Sequence, residues 1–172
     1  MSKPLPDFIY KSSVVNHQEI KQQLLDKMNL IPTNPIIGEG RIMTKIFHTD
    51  WNMPKAMHRE YVPLFENTVK EHIIELTKRL NVNGYRMLNC WFQRYGQEGN
   101  HGWHNHPSVH FANVYYVECP KGYGTKFKDF EVECQEGDIL SFPAFLPHMS
   151  PVIQDNSIKT VIAFNLDFEL FT

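Results

Sequence analysis

The chain has 172 residues, and its 17 lysine and arginine residues against 19 aspartate and glutamate residues give a formal net charge of −2. This length fits one domain with a core of its own. The near balance of charge offers no basic surface for a nucleic-acid backbone, and no apolar run reaches the ~20 residues that cross a bilayer. We therefore expect a protein that binds neither nucleic acid nor a membrane.

The cysteines indicate the compartment. Cys90, Cys119 and Cys134 are odd in number, widely spaced, and form no CxxC pair. This pattern favours free thiols in a reducing environment. The first ten residues also lack the basic and then apolar pattern of a secretory signal. We expect a cytoplasmic protein, and the sequence does not indicate its oligomeric state.

The first half of the chain predicts alternating strands and helices. Residues 8–15 favour a strand, and Asn16 with Glu19 has the spacing of a capping box that begins a helix. Residues 42–47 predict a second strand, and a longer helix with an apolar stripe follows and ends near 81–84. The stripe consists of Phe65, Val69, Ile73, Leu76 and Leu80. We expect both helices to pack on the outside of a sheet.

From residue 85 onward the pattern changes to alternation with frequent turn residues, which is typical of antiparallel strands. Strands are predicted near 85–95, 103–107, 110–118, 125–133, 137–142 and 158–168. Consecutive strands without a helix between them favour a mostly β fold, either a barrel or a double-sheet jelly roll. We predict a single domain over residues 1–172, in which residues 1–84 support a core at 85–172.

The chain contains nine histidines, and four of them lie between residues 101 and 110. His104 and His106 are two residues apart, so on a strand both imidazoles would project from the same face and could share one ion. His148 follows a predicted strand and a proline-bounded loop, which makes it a third candidate ligand. Three protein ligands leave coordination positions open, as in a catalytic rather than a structural metal site.

Lys159 lies in a predicted strand whose two faces are both largely apolar, so its side chain is expected to be buried. A buried ammonium requires an anionic partner, because leaving it unpaired in a core is costly. The adjoining sequence supplies no evident carboxylate. A dicarboxylate cosubstrate would supply the missing charge.

Several segments of the second half of the chain, taken in their order along the sequence, resemble the core of the Fe(II)/2-oxoglutarate-dependent oxygenases. The matching elements, which span residues 85–168, are Gln93-Arg94-Tyr95-Gly96, His104-x-His106, Tyr115-Tyr116, the segment from Gly137 to Pro143, His148 and Lys159. The chain is most similar to a small branch marked by an HxHP segment, near the prolyl-hydroxylase-like group. The resemblance implies a double-stranded β-helix, which is a jelly-roll and cupin-like barrel, with the N-terminal helices packed outside.

The resemblance also implies cofactors and residue roles. His104, His106 and His148 would bind Fe(II), with His106 at the position where most of the superfamily has Asp or Glu. Lys159 would pair with the distal carboxylate of 2-oxoglutarate, and O2 would be the second cosubstrate. The residues expected to contact the cosubstrate or line its site are Tyr95, Tyr116, Gln93 and Asn165.

The implied activity is that of a dioxygenase that converts 2-oxoglutarate and O2 to succinate and CO2. Its substrate would be an amino-acid or peptidyl side chain, or a small metabolite, which is hydroxylated. Two alternatives stay open: a zinc-dependent hydratase or hydrolase with a three-histidine site, and a non-catalytic cupin-like module that binds a metal or ligand. For His101 and His110, which lie off the matched positions, we expect a surface or hydrogen-bonded core role, although His110 could instead contact the substrate.

Overall fold

The computed structural model describes residues 5–38, 42–54 and 56–169. The elements are α1 (His17–Asn29) and α2 (Tyr61–Leu80), together with β1 (Tyr10–Ser13), β2 (Met43–Thr49), β3 (Gly84–His104), β4 (Phe111–Glu118), β5 (Lys126–Phe127), β6 (Asp138–Pro143), β7 (His148–Ser150) and β8 (Lys159–Glu169). Neither α1 nor α2 is long and apolar enough to span a membrane.

The strands form one curled antiparallel sheet in the order β1-β6-β4-β8-β3-β7-β5, and β2 pairs with β3. β8 is central, between β4 and β3. Its residues alternate between two cores: Ile162 and Phe164 pack in the core that contains both helices, whereas Val161 packs in the core on the other face. This arrangement confirms the mostly β jelly-roll fold with the helices outside.

The helices lie close to their predicted positions. Phe65, Val69 and Ile73 of the apolar stripe are buried in the core between α2 and the sheet. Asn81 ends α2 in the left-handed conformation, with φ 52° and ψ 52°, as the segment 81–84 predicted. The predicted capping box was wrong, because the Asn16 side chain makes no capping hydrogen bond to α1.

Two predicted strands differ from the structure. The segment 103–107 is not a separate strand, because β3 continues to His104 and residues 105–107 lie outside any strand. The segment 125–133 reduces to the two residues of β5 and an isolated bridge between Lys126 and Glu131. The short strand β7 was not predicted, since three residues show no periodicity. His104 and His106 therefore do not project from one strand as expected.

A buried histidine ties α2 to the sheet. His72 is 4% exposed, and its Nδ1 and Nε2 lie 2.6 Å and 2.7 Å from the hydroxyls of Ser12 on β1 and Ser141 on β6. The Ser141 hydroxyl donates in turn to the side-chain oxygen of Asn113 on β4. Burial lowers the pKa of His72 to about 3. The imidazole is therefore neutral in the folded protein and connects one helix to three strands.

We expect this histidine to make folding sensitive to acid. An unfolded chain protonates it near pH 6.5, whereas the folded protein excludes that proton until about pH 3. Its contribution to the free energy of unfolding is thus fully present above pH 6.5 and is lost as the pH falls below that value. His72→Gln should reduce the slope of stability against pH below 6.5 in chemical denaturation. Equal slopes for the variant and the wild type would refute this assignment.

Candidate metal centre

Three imidazoles converge in the barrel interior. The ligand atoms offered by His104, His106 and His148 all lie within 4.8 Å of one another. His104 and His148 are cross-strand partners of β3 and β7, and their ring centroids are 4.2 Å apart. His106 lies in the loop after β3, where its backbone N–H donates to the carbonyl of Ala144 at 2.8 Å. Two chain segments, the end of β3 with the loop that follows it and the start of β7, thus bring the predicted ligands together.

The backbone orients two of the three rings. Nδ1 of His104 donates to the carbonyl of Gly102 at 2.7 Å, and Nδ1 of His148 donates to the carbonyl of Leu146 at 2.8 Å. Because a carbonyl only accepts, Nδ1 carries the proton and Nε2 keeps its lone pair. A hydrogen bond of this kind, made by the ring nitrogen that does not bind the metal, is typical of metal-binding histidines. The donor set therefore fits a divalent transition metal such as Fe(II) or Zn(II).

Burial keeps this triad neutral. Burial, together with repulsion from the His104 ring, lowers the pKa of His148 to about 3 and that of His106 to about 4. Burial also lowers the pKa of His104. Because the neutral imidazole is the form that binds a metal, no proton has to be displaced from the three rings at neutral pH.

The three imidazoles line a cavity that also contains the ammonium group of Lys159. Its side chain is 1% exposed, and Nζ donates to the hydroxyl of Ser150 at 2.7 Å. Nζ also lies 5.4 Å from the centre of the Tyr95 ring. Burial lowers the pKa of Lys159 to about 8, and none of the ion pairs among the described residues includes this group. At neutral pH the cavity thus holds a buried cation without a carboxylate beside it.

Polar side chains line the cavity that contains the triad and Lys159. Gln93, Tyr95 and Asn165 all face this cavity, as do the three imidazoles. The Tyr95 hydroxyl donates to the side-chain oxygen of Gln93 at 2.7 Å, and the Asn165 amide donates to that of Asn89 at 2.9 Å. Among the described residues, no aspartate or glutamate lines the cavity. Among the described lining residues, Lys159 is therefore the one that carries a charge at neutral pH.

Tyr116 is placed differently from the other predicted cosubstrate residues. Its hydroxyl lies 2.6 Å from the hydroxyl of Thr125 and accepts the backbone N–H of the same residue at 3.1 Å. Thr125 lines the cavity, and the Tyr116 ring lies behind it, 5.8 Å from Nζ of Lys159. Direct contact between Tyr116 and a cosubstrate stays a prediction.

Sequence reasoning missed the position of His101. Its ring lines the cavity and stacks on His104, with 3.6 Å between centroids and 5° between planes. Alternation along a strand would place residues three apart on opposite faces. Here His101 pairs with Ser150 and His104 pairs with His148. An advance of three residues along β3 therefore corresponds to an advance of only two residues along β7. This β-bulge returns both imidazoles to one face.

His110 lies outside this group of rings. Its side chain is half-exposed, and its Nδ1 accepts the backbone N–H of Phe168 at 2.9 Å and lies 3.4 Å from the carboxylate of Asp167. This agrees with the surface or hydrogen-bonded role that its sequence position suggested.

The sequence matches no family model and no curated protein. Solved structures do resemble it. The viral collagen prolyl hydroxylase of Paramecium bursaria Chlorella virus-1, in complex with 2-oxoglutarate, has a TM-score of 0.62 and 12% identity, with 95% of this chain and 97% of that chain covered. A Trichoplax adhaerens prolyl hydroxylase, in complex with a hypoxia-inducible-factor peptide fragment, has a TM-score of 0.63 and 14% identity, with 94% and 84% covered.

A third similar structure is HygX from Streptomyces hygroscopicus with nickel, 2-oxoglutarate and hygromycin B bound. It has a TM-score of 0.62 and 12% identity, with 96% of this chain and 84% of that chain covered. These likenesses extend over nearly the whole chain, including the first 84 residues that the sequence motifs did not cover. The protein therefore has the double-stranded β-helix fold of the Fe(II)/2-oxoglutarate-dependent oxygenases, with prolyl hydroxylases among the structures that it resembles.

The triad leads to a direct test of metal binding. His148→Ala should weaken the binding of Co(II) by ~100-fold or more, because it removes one of three ligands, and even loss of a ligand's hydrogen-bond partner typically weakens binding by 10–100-fold. Isothermal titration of chelator-treated protein measures this affinity. His110→Ala is the matched control and should leave it unchanged. Wild-type affinity in the His148 variant would show that this histidine is not a ligand.

Proposed function

We propose that this protein is an Fe(II)- and 2-oxoglutarate-dependent dioxygenase that hydroxylates its substrate. His104, His106 and His148 would bind Fe(II), and Lys159 would pair with the distal carboxylate of 2-oxoglutarate. The chemistry that these groups supply when bound is the O2-dependent conversion of 2-oxoglutarate to succinate and CO2, coupled to hydroxylation of a substrate C–H bond.

The observation that carries this proposal is a buried lysine, with no ion-pair partner among the described residues, in the same cavity as three neutral imidazoles. A buried cation without a counter-charge is costly, so its presence calls for an anionic ligand. A dicarboxylate that reaches from the triad to Lys159 would satisfy both features at once. A monoanion or a neutral ligand would leave one of them unexplained.

Several of the chain's own groups would orient that ligand. Ser150 holds Nζ of Lys159 in place through its 2.7 Å hydrogen bond. Tyr95 and Gln93, hydrogen-bonded to each other, would form a polar wall beside the same carboxylate. We propose Tyr116 and Asn165 as supporting residues at greater distance. The curled sheet around the cavity would limit access of bulk water and thereby strengthen these interactions.

The third imidazole strengthens the case for an anionic cosubstrate. Most non-haem iron oxygenases bind the metal through two histidines and one carboxylate. With the neutral His106 in place of that carboxylate, the metal site would carry one more positive charge. No described carboxylate lines the cavity to offset that charge. Binding of a dianion would therefore be favoured electrostatically, at both the metal and Lys159.

The proposed substrate is an amino-acid or peptidyl side chain, or a small metabolite. Two of the similar structures hold ligands of these kinds, a peptide fragment and hygromycin B. In this chain, Trp91, Ala163 and Asn165 line the end of the cavity away from Lys159, as the strand register shows. These neutral side chains favour an uncharged target group. We propose a cytoplasmic location, which the three free cysteines support.

A zinc hydratase or hydrolase is the competing proposal, since three imidazoles also suit Zn(II). Such an enzyme commonly uses a carboxylate as general base, and the described lining of this cavity contains none. It would also give Lys159 no role. These two points favour the oxygenase.

Turnover of the cosubstrate separates the two enzymes. Protein loaded with Fe(II) under anaerobic conditions should form succinate from 2-oxoglutarate once O2 is admitted, and protein loaded with Zn(II) should not. The reaction is run with isotopically labelled O2, and mass spectrometry of the acids shows whether the label enters succinate. If Fe(II)-loaded protein neither binds 2-oxoglutarate nor forms succinate, the proposed function is wrong.

Lys159→Met tests the anchor for the distal carboxylate. The variant should bind 2-oxoglutarate at least ~30-fold more weakly, because it removes one partner of a buried charge pair. Without ligand it should be more stable than the wild type, because methionine fills a similar volume and carries no charge. Calorimetric titration and thermal denaturation measure the two effects. Lys128→Met, on the surface beside Trp103, is the control and should change neither.

A further inference from the structure

We infer that His101 is an additional cosubstrate-binding residue, and that it contacts the keto-acid end of 2-oxoglutarate rather than the distal carboxylate. This inference rests on the proposed function. It concerns a residue outside the segments that carry the family resemblance.

The position of the ring supports this role. His101 stacks face to face on His104, one of the three candidate ligands, with 3.6 Å between ring centroids. Its cross-strand partner is Ser150, the residue that receives the hydrogen bond from Lys159. The His101 ring therefore lies on the wall of the cavity between the triad and Lys159. A ligand that joins these two features would pass beside it.

The chemistry of the ring supports the role as well. Two of the three candidate ligands, His104 and His148, each use Nδ1 to hold a backbone carbonyl. Within the described part of the chain, the stack on His104 is the contact that holds the His101 ring, and no hydrogen bond occupies its nitrogens. A neutral imidazole always has one N–H to donate. A carboxylate or keto oxygen is the acceptor that a 2-oxo acid would present.

The stack identifies the end of the ligand that His101 would touch. A ring in van der Waals contact with a metal ligand lies next to the coordination sphere. The part of 2-oxoglutarate that would bind there is its keto group and proximal carboxylate. Lys159 would serve the opposite end. The two residues should therefore affect different parts of the same molecule.

Two acids and two variants separate these contributions. 2-Oxopentanoate keeps the keto-acid end of 2-oxoglutarate and lacks the distal carboxylate. His101→Phe keeps a flat ring that can stack and removes the N–H. Titration of Co(II)-loaded protein should show that this variant binds both acids more weakly by the same factor, about tenfold, as expected for one hydrogen bond to a charged group. Lys159→Met should weaken the binding of 2-oxoglutarate alone.

Three outcomes would overturn the inference. Unchanged affinity for both acids would leave His101 as packing only. Weakened binding of 2-oxoglutarate alone would place His101 at the distal carboxylate instead. Weaker binding of Co(II) itself would make His101 part of the metal site. His110→Phe is the control for loss of a histidine and should change none of these affinities. If the wild-type protein binds neither acid, the proposed function fails. If the wild type and the His101→Phe variant bind both acids equally well, only the inference about His101 fails.

Discussion

A buried positive charge needs a negative one nearby, and this requirement governs the functional half of the molecule. Lys159 is enclosed by the barrel, held by one serine hydroxyl, and faces a cavity whose described lining contains no carboxylate. Without ligand the protein bears the cost of that isolated charge. A hydrophobic side chain of similar size would pack there more favourably, so this lysine lowers the stability of the unliganded fold.

The candidate metal centre depends on a different kind of constraint, the local departure of the backbone from regular structure. His104 is the last residue of β3, His106 lies in the following loop, and His148 begins the three-residue strand β7. A backbone hydrogen bond from His106 to Ala144 joins the loop after β3 to the turn between β6 and β7. The geometry of the triad is thus set by the ends of strands, whereas the strand interiors supply the rigid wall behind it.

Long periodic segments were predictable from the sequence, and the short irregular ones were not. The apolar stripe of α2, the left-handed end at Asn81 and the buried strand that carries Lys159 all follow from residue patterns longer than a few positions. The grouping of His104, His106 and His148 was also predictable from histidine spacing. The reasoning behind it was partly wrong, because His106 is not on a strand. His101 escaped notice because it lies off the positions that carry the resemblance, and because the extra residue in β3 that brings its ring to the cavity face leaves no pattern in the sequence.

The central strand β8 has a consequence for how such a protein can change over evolution. Its even-numbered residues Ile162, Phe164 and Leu166 belong to the core beneath the helices, while the odd-numbered Lys159, Val161, Ala163 and Asn165 line the cavity. Substitutions at odd positions can remodel the shape and polarity offered to a ligand without disturbing the packing that holds the helices on the sheet. Substitutions on one face of β8 would therefore change the stability of the fold, and substitutions on the other face would change what the cavity binds. The two properties can change largely independently.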